Sequence, residues 1–195
     1  PSGLFAYHFN VSGNNHIAAS ADAASHSYGD ATVDEPMTLG AWIFPLSVSD
    51  NTILAKYDAA TAEEWKWQIA PTTGALRLEL YDASVDASEI GDSDQSTSQG
   101  GDNPRTVPAN RWSFVCTVYD GAESDPRVRH YINGTQNGDG LTTETGAYVA
   151  MENTVTPLLI AASELTTAPA ELFHGYIAFP FVAGVNLTAE QVALV

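Results

Sequence analysis

Apolar and polar residues alternate with a period of two over much of this chain, which predicts β-strands rather than helices. In the run 76–81, three leucines alternate with Arg77, Glu79 and Tyr81. Short turns rich in Gly, Asn, Asp or Pro separate such runs. The predicted strands lie within 39–44, 53–57, 65–69, 76–81, 112–119, 128–132, 158–161 and 176–182. Many short strands at this spacing favour an all-β sandwich or jelly roll.

Three segments qualify this strand pattern. The run 39–44 is apolar at both parities, so we expect that strand to be covered on both faces. Pro180 interrupts the last apolar run, which predicts an edge strand or a bulge. Thr188 followed by Gln191 forms a capping-box pattern, which predicts a short C-terminal helix.

One long polar segment interrupts the series of strands. Residues 78–104 contain seven acidic residues and no basic residue, and 93–101 is rich in Ser, Gln and Gly. We therefore expect a long polar acidic loop at about 83–108. No linker or internal repeat divides the chain, so residues 1–195 are expected to form a single domain.

The net charge of −17 follows from 7 basic and 24 acidic residues. Such a chain repels phosphate, so neither nucleic-acid binding nor attachment to anionic membranes is expected. The apolar runs are too short to span a bilayer, so no membrane insertion is expected. All seven basic residues lie between Lys56 and Arg129, which leaves the rest of the chain acidic.

The single cysteine, Cys116, excludes an intramolecular disulfide. It shares parity with Phe114 and Val118 in an apolar run, so we expect a buried small hydrophobe rather than a nucleophile. The sequence begins Pro-Ser-Gly without a basic or apolar leader segment, and no signal peptide is expected in it.

A series of further motifs follows in order along most of the chain. They are Met37-Thr-Leu-Gly-Ala-Trp-Ile-Phe-Pro45, Ile53-Leu-Ala-Lys-Tyr-Asp58, Trp112-Ser-Phe-Val115, Tyr119-Asp-Gly121, His130-Tyr-Ile-Asn-Gly134, Leu158-Leu-Ile160, Phe173-His-Gly-Tyr-Ile177 and Leu187-Thr-Ala-Glu-Gln191. This ordered series resembles the laminin G-like domains of the concanavalin A-like lectin/glucanase superfamily. The resemblance implies two antiparallel sheets packed as a jelly roll, with a concave face or rim loops for ligands.

The resemblance does not extend to the calcium site of many relatives. In those relatives two acidic residues follow the last strand motif, whereas Ala178 and Phe179 occupy these positions here. Asp92-Ser-Asp94 begins like an EF-hand loop, but Thr97 and Asn103 stand where that loop needs glycine and glutamate. Because oxygen ligands can also come from distant loops, Ca²⁺ stays a candidate cofactor with no assigned ligands.

The sequence carries no evident catalytic motif. Related glycoside hydrolases place two carboxylates at alternate positions of one strand, and the nearest match is Glu123-Ser-Asp125, in a polar turn. Glu79 and Asp82 have opposite parity, so they would point to opposite faces. His130 shares parity with apolar neighbours and is expected to be a hydrogen-bonded core residue. The sequence therefore predicts a protein that is not an enzyme.

Five polar side chains are predicted to project from one face of two adjacent strands. They are Lys66, Gln68, Arg77, Glu79 and Tyr81. Polar groups grouped on a sheet face in this way could bind a glycan. The alternative is an ordinary solvated face with cross-strand Lys–Glu and Arg–Glu pairs. The intervening Trp65 and Trp67 are expected to pack in the core.

Two kinds of function remain for such a domain. The first is a non-catalytic structural or interaction domain displayed on a larger assembly, such as a virion decoration or an extracellular surface or filament protein. The alternative is a glycan-binding lectin-like module, with or without calcium, and a glycoside hydrolase or lyase is the third. The expected partners are therefore a protein of the assembly or a surface glycan, and the expected location is extracellular or on a virion surface. The preference for display rests on how such folds are used elsewhere.

Overall fold

The computed structural model describes residues 5–19, 21–48, 51–59, 62–93, 106–121, 127–139, 143–164 and 169–195. The strands are β1 (Tyr7–Phe9), β2 (Ile17–Ala18), β3 (Met37–Pro45), β4 (Asn51–Asp58), β5 (Ala62–Ile69), β6 (Leu76–Asp82), β7 (Ala87–Asp92), β8 (Ser113–Tyr119), β9 (Val128–Ile132), β10 (Thr135–Asp139), β11 (Thr143–Thr145), β12 (Leu159–Ile160) and β13 (Gly175–Ala183). The helix α1 spans Ala189–Val192, and single 3-10 turns lie at 11–13 and 24–26. Within these ranges, no helix is long and apolar enough to cross a membrane.

The strands form two antiparallel sheets. The six-stranded sheet has the order β1-β13-β3-β8-β9-β10, and the seven-stranded sheet has the order β11-β7-β6-β5-β4-β12-β2. Strands far apart in sequence, such as β3 and β13, are neighbours in space. This arrangement confirms the predicted all-β, two-sheet jelly-roll sandwich with a short C-terminal helix.

Alternate side chains from the two sheets meet between them and form the main core. Trp65 and Trp67 of β5 are fully buried there, as predicted, together with Leu78 of β6 and Ile43 of β3. Each fully buried side chain of this size contributes roughly 1.5–3 kcal/mol to folding. The residues between them in β5 and β6 therefore lie on the opposite, outer face of the seven-stranded sheet.

Strand β13 contains a bulge at the position where Pro180 predicted an edge or an irregularity. Its register with β3 shifts between Ala178 and Phe181. Phe179, inside this shift, has a φ of +49°, an uncommon conformation for a bulky residue. Strand β1 pairs with β13 only at residues 175–177, so among the described strands Pro180 has a neighbour on the β3 side alone, as at a sheet edge. Gly40 is required opposite the bulge, since a Cβ there would lie 2.3 Å from the ring of Phe181.

The C-terminal helix begins as its sequence predicts. The Thr188 hydroxyl accepts from the Gln191 backbone N–H, and the Gln191 side chain accepts from the Thr188 N–H at 2.8 Å. Val192 and Leu187 then pack with Phe181 against the outer face of the six-stranded sheet. The helix therefore covers part of that face.

Cys116 lies beneath this C-terminal segment, in a second hydrophobic cluster. Its neighbours there are Phe114, Val118, Tyr131 and Val192. Burial raises the pKa of the Cys116 thiol to about 12. The predicted role as a buried hydrophobe is confirmed, because an accessible thiolate is what makes a cysteine reactive.

The structure corrects two expectations about strands. Part of the predicted loop at 83–108 is a strand, since β7 (Ala87–Asp92) pairs with β6. Its acidic composition misled the prediction, because Glu89 and Asp92 form ion pairs with arginines instead of facing water. Strand β3 is also not covered along both faces, since Trp42 is 41% exposed. Residues 94–105 of the predicted loop lie outside the described residues.

A chain of hydrogen bonds joins the two sheets through the core. Trp67 Nε1 donates to Thr117 Oγ1 at 2.7 Å, and the Thr117 hydroxyl donates to His130 Nδ1 at 2.8 Å. His130 Nε2 then donates to the carbonyl of Gly91 at 3.0 Å. This order assigns the neutral tautomer with its proton on Nε2. His130 is thus the hydrogen-bonded core histidine that the sequence predicted.

Acidification is expected to weaken the fold through His130. Burial lowers the pKa of His130 from its ordinary value of 6.5 to about 4. The contribution of this residue is therefore complete above pH 6.5, and it is lost as the pH falls towards 4, because the unfolded chain takes up the proton first. The lowered pKa of His130 corresponds to a loss of about 3 kcal/mol in the free energy of unfolding between pH 7 and pH 4.

Urea denaturation of the native protein and of His130→Gln at pH 7 and pH 4 measures this contribution. Glutamine offers an acceptor and a donor but does not titrate in this range. We expect the stability difference between the two proteins to shrink by about 3 kcal/mol at pH 4. A pH-independent difference would show that His130 does not cause the loss.

Candidate functional site

The structure brings together the five polar residues predicted to share one sheet face. Lys66 and Gln68 lie on β5, directly opposite Glu79 and Arg77 on β6. Tyr81 follows on β6 with the same parity as Glu79. We refer to these five side chains, on the outer face of the seven-stranded sheet, as the polar face.

Glu79 is the hub of the polar face. Its Oε1 accepts a hydrogen bond from Gln68 Nε2 at 2.9 Å and lies 3.4 Å from Arg77 Nη1. Its Oε2 lies 3.0 Å from Lys66 Nζ and accepts a hydrogen bond from the Tyr81 hydroxyl. One carboxylate therefore orients the other four side chains.

Three further residues complete the network, and the sequence analysis did not predict them. Asp92 of β7 holds Arg77 in a bidentate pair, with distances of 2.6 Å to Nε and 2.7 Å to Nη2. Glu171 lies 2.9 Å from Lys66 Nζ. The ring of Tyr57 lies under the same ammonium, 5.0 Å from its centre. A bidentate Arg–carboxylate pair fixes the guanidinium plane, so the face is rigidly organised.

Burial separates an inner and an outer layer of this network. The side chains of Lys66 and Glu79 are 7% and 8% exposed, whereas those of Arg77 and Glu171 are 22% and 35% exposed. Tyr57 and Tyr81 are half-buried, with ring centres 4.8 Å apart. The Lys–Glu and Arg–Glu pairs of the alternative expectation are present, but Lys66 and Glu79 are buried rather than solvated. A ligand would first meet Arg77, Glu171 and the two tyrosines.

The charges on this face keep its groups in defined protonation states. Burial alone would lower the pKa of Lys66, but the carboxylates of Glu79 and Glu171 outweigh it and raise that pKa. Burial, and then the Glu79 carboxylate, raises the pKa of Tyr81 well above its ordinary value. Tyr81 is therefore a neutral hydroxyl and Lys66 a cation at physiological pH.

Glu79 and Asp82, two of the carboxylates considered for catalysis, do not pair with each other. The Asp82 carboxylate accepts from the Val149 N–H at 3.0 Å and from the Ser84 hydroxyl at 2.7 Å, away from the Glu79 hub. Glu123-Ser-Asp125 lies outside the described residues. The opposite parity predicted for Glu79 and Asp82 is thus observed, and a two-carboxylate arrangement is not formed by them.

The described residues were compared with the possible calcium site that the sequence left open. No group of three or more His, Cys, Asp or Glu within the described ranges has the geometry of a metal site. Asp92, at the start of the EF-hand-like segment, is already engaged by Arg77. Ala178 and Phe179 lie on an apolar part of the six-stranded sheet. The described structure therefore assigns no ligand to Ca²⁺.

Two buried acidic clusters lie outside the polar face. Asp34 accepts from the hydroxyls of Tyr119 and Tyr148 at 2.5 and 2.7 Å and from the Met151 N–H at 2.9 Å. Burial raises the pKa of Asp34, and these hydrogen bonds oppose the rise. A second cluster forms around Lys56. Both clusters tie loops to the sheets.

One protein-family model matches nearly the whole chain. The family model Laminin_G_3, described as the concanavalin A-like lectin/glucanases superfamily, matches residues 12–193. A search of curated proteins gave no match.

Several solved structures share the fold at low sequence identity. A heptameric SAP-like pentraxin from Limulus polyphemus matches with 14% identity and a TM-score of 0.53, over 91% of this chain and 79% of the pentraxin. Domain 4 of the extracellular GH43 arabinanase AbnA from Geobacillus stearothermophilus, in complex with arabinotriose, matches with 16% identity and a TM-score of 0.54, over 91% of this chain and 70% of that domain.

A third match is the CBM40 module of the IT-sialidase from Ruminococcus gnavus, bound to α2,3-sialyllactose. It shares 14% identity and a TM-score of 0.57 with this chain, and covers 98% of this chain and 99% of the module. Identities this low establish the fold alone, whereas the family model spans nearly the whole sequence. The chain therefore belongs to the concanavalin A-like lectin/glucanase superfamily, as the laminin G-like motifs in its sequence predicted.

Proposed function

We propose that this protein is a non-catalytic glycan-binding module that holds a saccharide against the polar face. The observation that carries the proposal is the convergence of Lys66, Gln68, Arg77 and Tyr81 on the single carboxylate of Glu79. Such a preorganised set of donors and acceptors suits a ligand covered with hydroxyl groups, because little side-chain ordering is needed on binding.

The outer layer of the network supplies the kinds of contact that a sugar uses. Arg77 has five N–H donors, and Asp92 and Glu79 engage three of them, so two remain for ligand oxygens. Glu171 offers carboxylate acceptors for hydroxyl groups. Tyr57 and Tyr81 add half-buried aromatic rings, which combine apolar contact area with a polar hydroxyl.

The charge of the site constrains its ligand. Two cations (Lys66 and Arg77) and three carboxylates (Glu79, Asp92 and Glu171) give 2 − 3 = −1. The whole chain carries −17. Polyanionic glycans would be repelled, so we expect neutral or singly charged saccharides.

The comparisons favour this function over the display role that the sequence analysis preferred. The arabinanase domain and the CBM40 module named above are solved with sugars bound, and the arabinanase is extracellular. Neither match involves a virion. We therefore propose a glycan, rather than a protein of a larger assembly, as the partner. We also propose that this protein is extracellular.

Replacement of Arg77 tests the proposed function. On a glycan array and then by calorimetry with the best glycan, Arg77→Met is expected to bind at least about tenfold more weakly, as for a central interface arginine. The matched control is Arg129→Met, which removes an arginine from β9 in the other sheet. A native protein that leaves the whole array blank, or an Arg77→Met variant with unchanged affinity, would contradict the proposal.

A further inference from the structure

The outer face of the six-stranded sheet is only partly covered by the rest of the chain. The C-terminal segment covers the part formed by Phe114, Cys116 and Val118. Beside it lies a cavity of about 490 Å³, within the range of about 300–1,000 Å³ typical of small-molecule sites. We call it the aromatic cleft; it is lined by Ala6, Trp42, Trp112, Ala178 and Phe179.

The two tryptophans of the cleft differ from the two tryptophans of the core. Trp42 and Trp112 are each 41% exposed, whereas Trp65 and Trp67 are fully buried. The indole N–H groups of the core pair donate to His26 O and Thr117 Oγ1. Those of Trp42 and Trp112 donate to no acceptor among the described residues.

Neighbouring aromatic rings on the same sheet face contact the two tryptophans from the side. Trp42 packs on Phe114 with a ring-centre distance of 5.7 Å, and Trp112 packs on Phe44 at 5.7 Å and on Tyr176 at 6.4 Å. Because these supporting rings lie on strands of one sheet, the exposed faces have fixed orientations. A fixed aromatic surface binds with little loss of conformational entropy.

The bulge in β13 directs a third aromatic ring to the same cleft. Phe179 adopts a φ of +49°, a backbone conformation that is unfavourable for a bulky residue. Burial of its ring does not compensate for this cost, because the residue is 58% exposed. Bulges often redirect one side chain next to a binding site. The strained residue is explained if its ring contacts a ligand.

We propose that the aromatic cleft is a second saccharide site, which stacks the apolar face of an uncharged pyranose on Trp42, Trp112 and Phe179. This inference goes beyond the proposed function and does not depend on it, because the polar face lies on the other sheet. It gives the module two sites of different chemistry, one charged and one aromatic.

Charge and area favour a neutral sugar over a second copy of the chain or another protein. The described lining residues of the cleft are all uncharged, and two copies of a −17 chain repel each other. From the exposed fractions of Trp42, Trp112 and Phe179, and about 150–250 Å² per aromatic side chain, the cleft offers about 200–350 Å² of aromatic surface. A standard protein interface buries about 800 Å² per partner. A pyranose, with an apolar C–H face and a hydroxyl-rich edge, matches the exposed rings and can accept hydrogen bonds from indole N–H groups at its edge.

Calorimetry with cellohexaose, xylohexaose and mannohexaose tests the proposal. These probes are neutral β-1,4-linked oligosaccharides whose rings present extended apolar faces. We expect saturable binding of at least one of them, with protection of the exposed tryptophans from acrylamide quenching. Trp42→Ala is expected to lower the affinity at least about tenfold.

Phe179→Gly separates binding from folding. Glycine adopts a positive φ without strain, so this variant is expected to unfold at the same or higher urea concentration while it loses affinity for the oligosaccharide severalfold. The control is Glu144→Gln, which changes an exposed residue of β11 outside both proposed sites and is expected to bind the same oligosaccharide with native affinity.

Each alternative outcome overturns the second site. No binding of any of the three oligosaccharides rejects it, as does binding that Arg77→Met weakens and Trp42→Ala leaves intact. A dimer in size-exclusion chromatography with light scattering that Trp42→Ala dissociates would identify the cleft as an interface between copies instead. Binding that depends on Arg77 and not on Trp42 would place the oligosaccharide on the polar face, whereas absent binding or dimer formation through the cleft leaves the polar face to its own test, the Arg77→Met array.

Discussion

Lys56→Met is expected to lower the free energy of unfolding by about 3–5 kcal/mol, the usual cost of leaving a buried ion without its partner. The Lys56 side chain is fully buried. Its Nζ lies 2.5 Å from Glu64 Oε1 and 2.8 Å from Asp22 Oδ1, and donates to the Thr154 carbonyl at 3.0 Å. Methionine fills a similar volume but leaves the fully buried Glu64 carboxylate without a cation.

Equilibrium urea denaturation at pH 7 measures this cost, and a second variant identifies its cause. Lys56→Met/Glu64→Gln removes both charges, and the glutamine still offers an oxygen to the Thr154 N–H, which donates to Glu64 at 2.7 Å. We expect the double variant to recover at least about 2 kcal/mol of the loss. A double variant no more stable than Lys56→Met would show that lost packing, rather than the unpaired charge, causes the destabilisation.

Glu79→Gln is expected to weaken glycan binding at least about 30-fold, the effect of losing a binding hot spot of about 2 kcal/mol. Glu79 is mostly buried and contacts Lys66, Gln68 and Arg77, so in the proposed site it would act as a positioning residue for these three side chains. Glutamine has one acceptor oxygen and adds two donors, so it cannot hold two cations and an amide donor together.

Isothermal titration with the best glycan from the array measures the effect of Glu79→Gln. The matched control is Glu144→Gln, which removes an exposed carboxylate from β11 at the edge of the same sheet. A positioning role predicts lost affinity in a protein that still unfolds cooperatively. Native affinity in Glu79→Gln would contradict the role of this hub, and equal losses in both variants would indicate a general effect of charge.

The part of the polar face on regular strands could be predicted, because side chains of a strand alternate between its two faces. Strands β5 and β6 are regular and paired in register, so parity alone placed Lys66 and Glu79 on one face and Trp67 on the other. Tyr57 was not predicted, because the register of β4 shifts between Lys56 and Tyr57. Glu171 was not predicted, because it lies on no strand and reaches the face through the fold of the 169–174 segment.

The aromatic cleft and the buried ion pairs escaped prediction for a different reason. An apolar run such as 39–44 shows that both faces of a strand carry apolar residues, but it does not show which face the chain leaves uncovered. Trp42 was therefore expected to be buried. Likewise, composition treats lysines and glutamates as surface residues, whereas Lys56 and Glu64 neutralise each other in the interior. Both features depend on contacts between distant segments.

The location of the bound glycan is the most direct test of the account. A ¹⁵N–¹H correlation spectrum, titrated with the best glycan from the array, reports every backbone amide that the ligand perturbs. We predict the largest shifts on β5 and β6, at Lys66, Gln68, Arg77 and Glu79, with loss of these shifts in Arg77→Met. Saturable shifts that leave these residues unperturbed would contradict the proposal that the polar face binds the glycan.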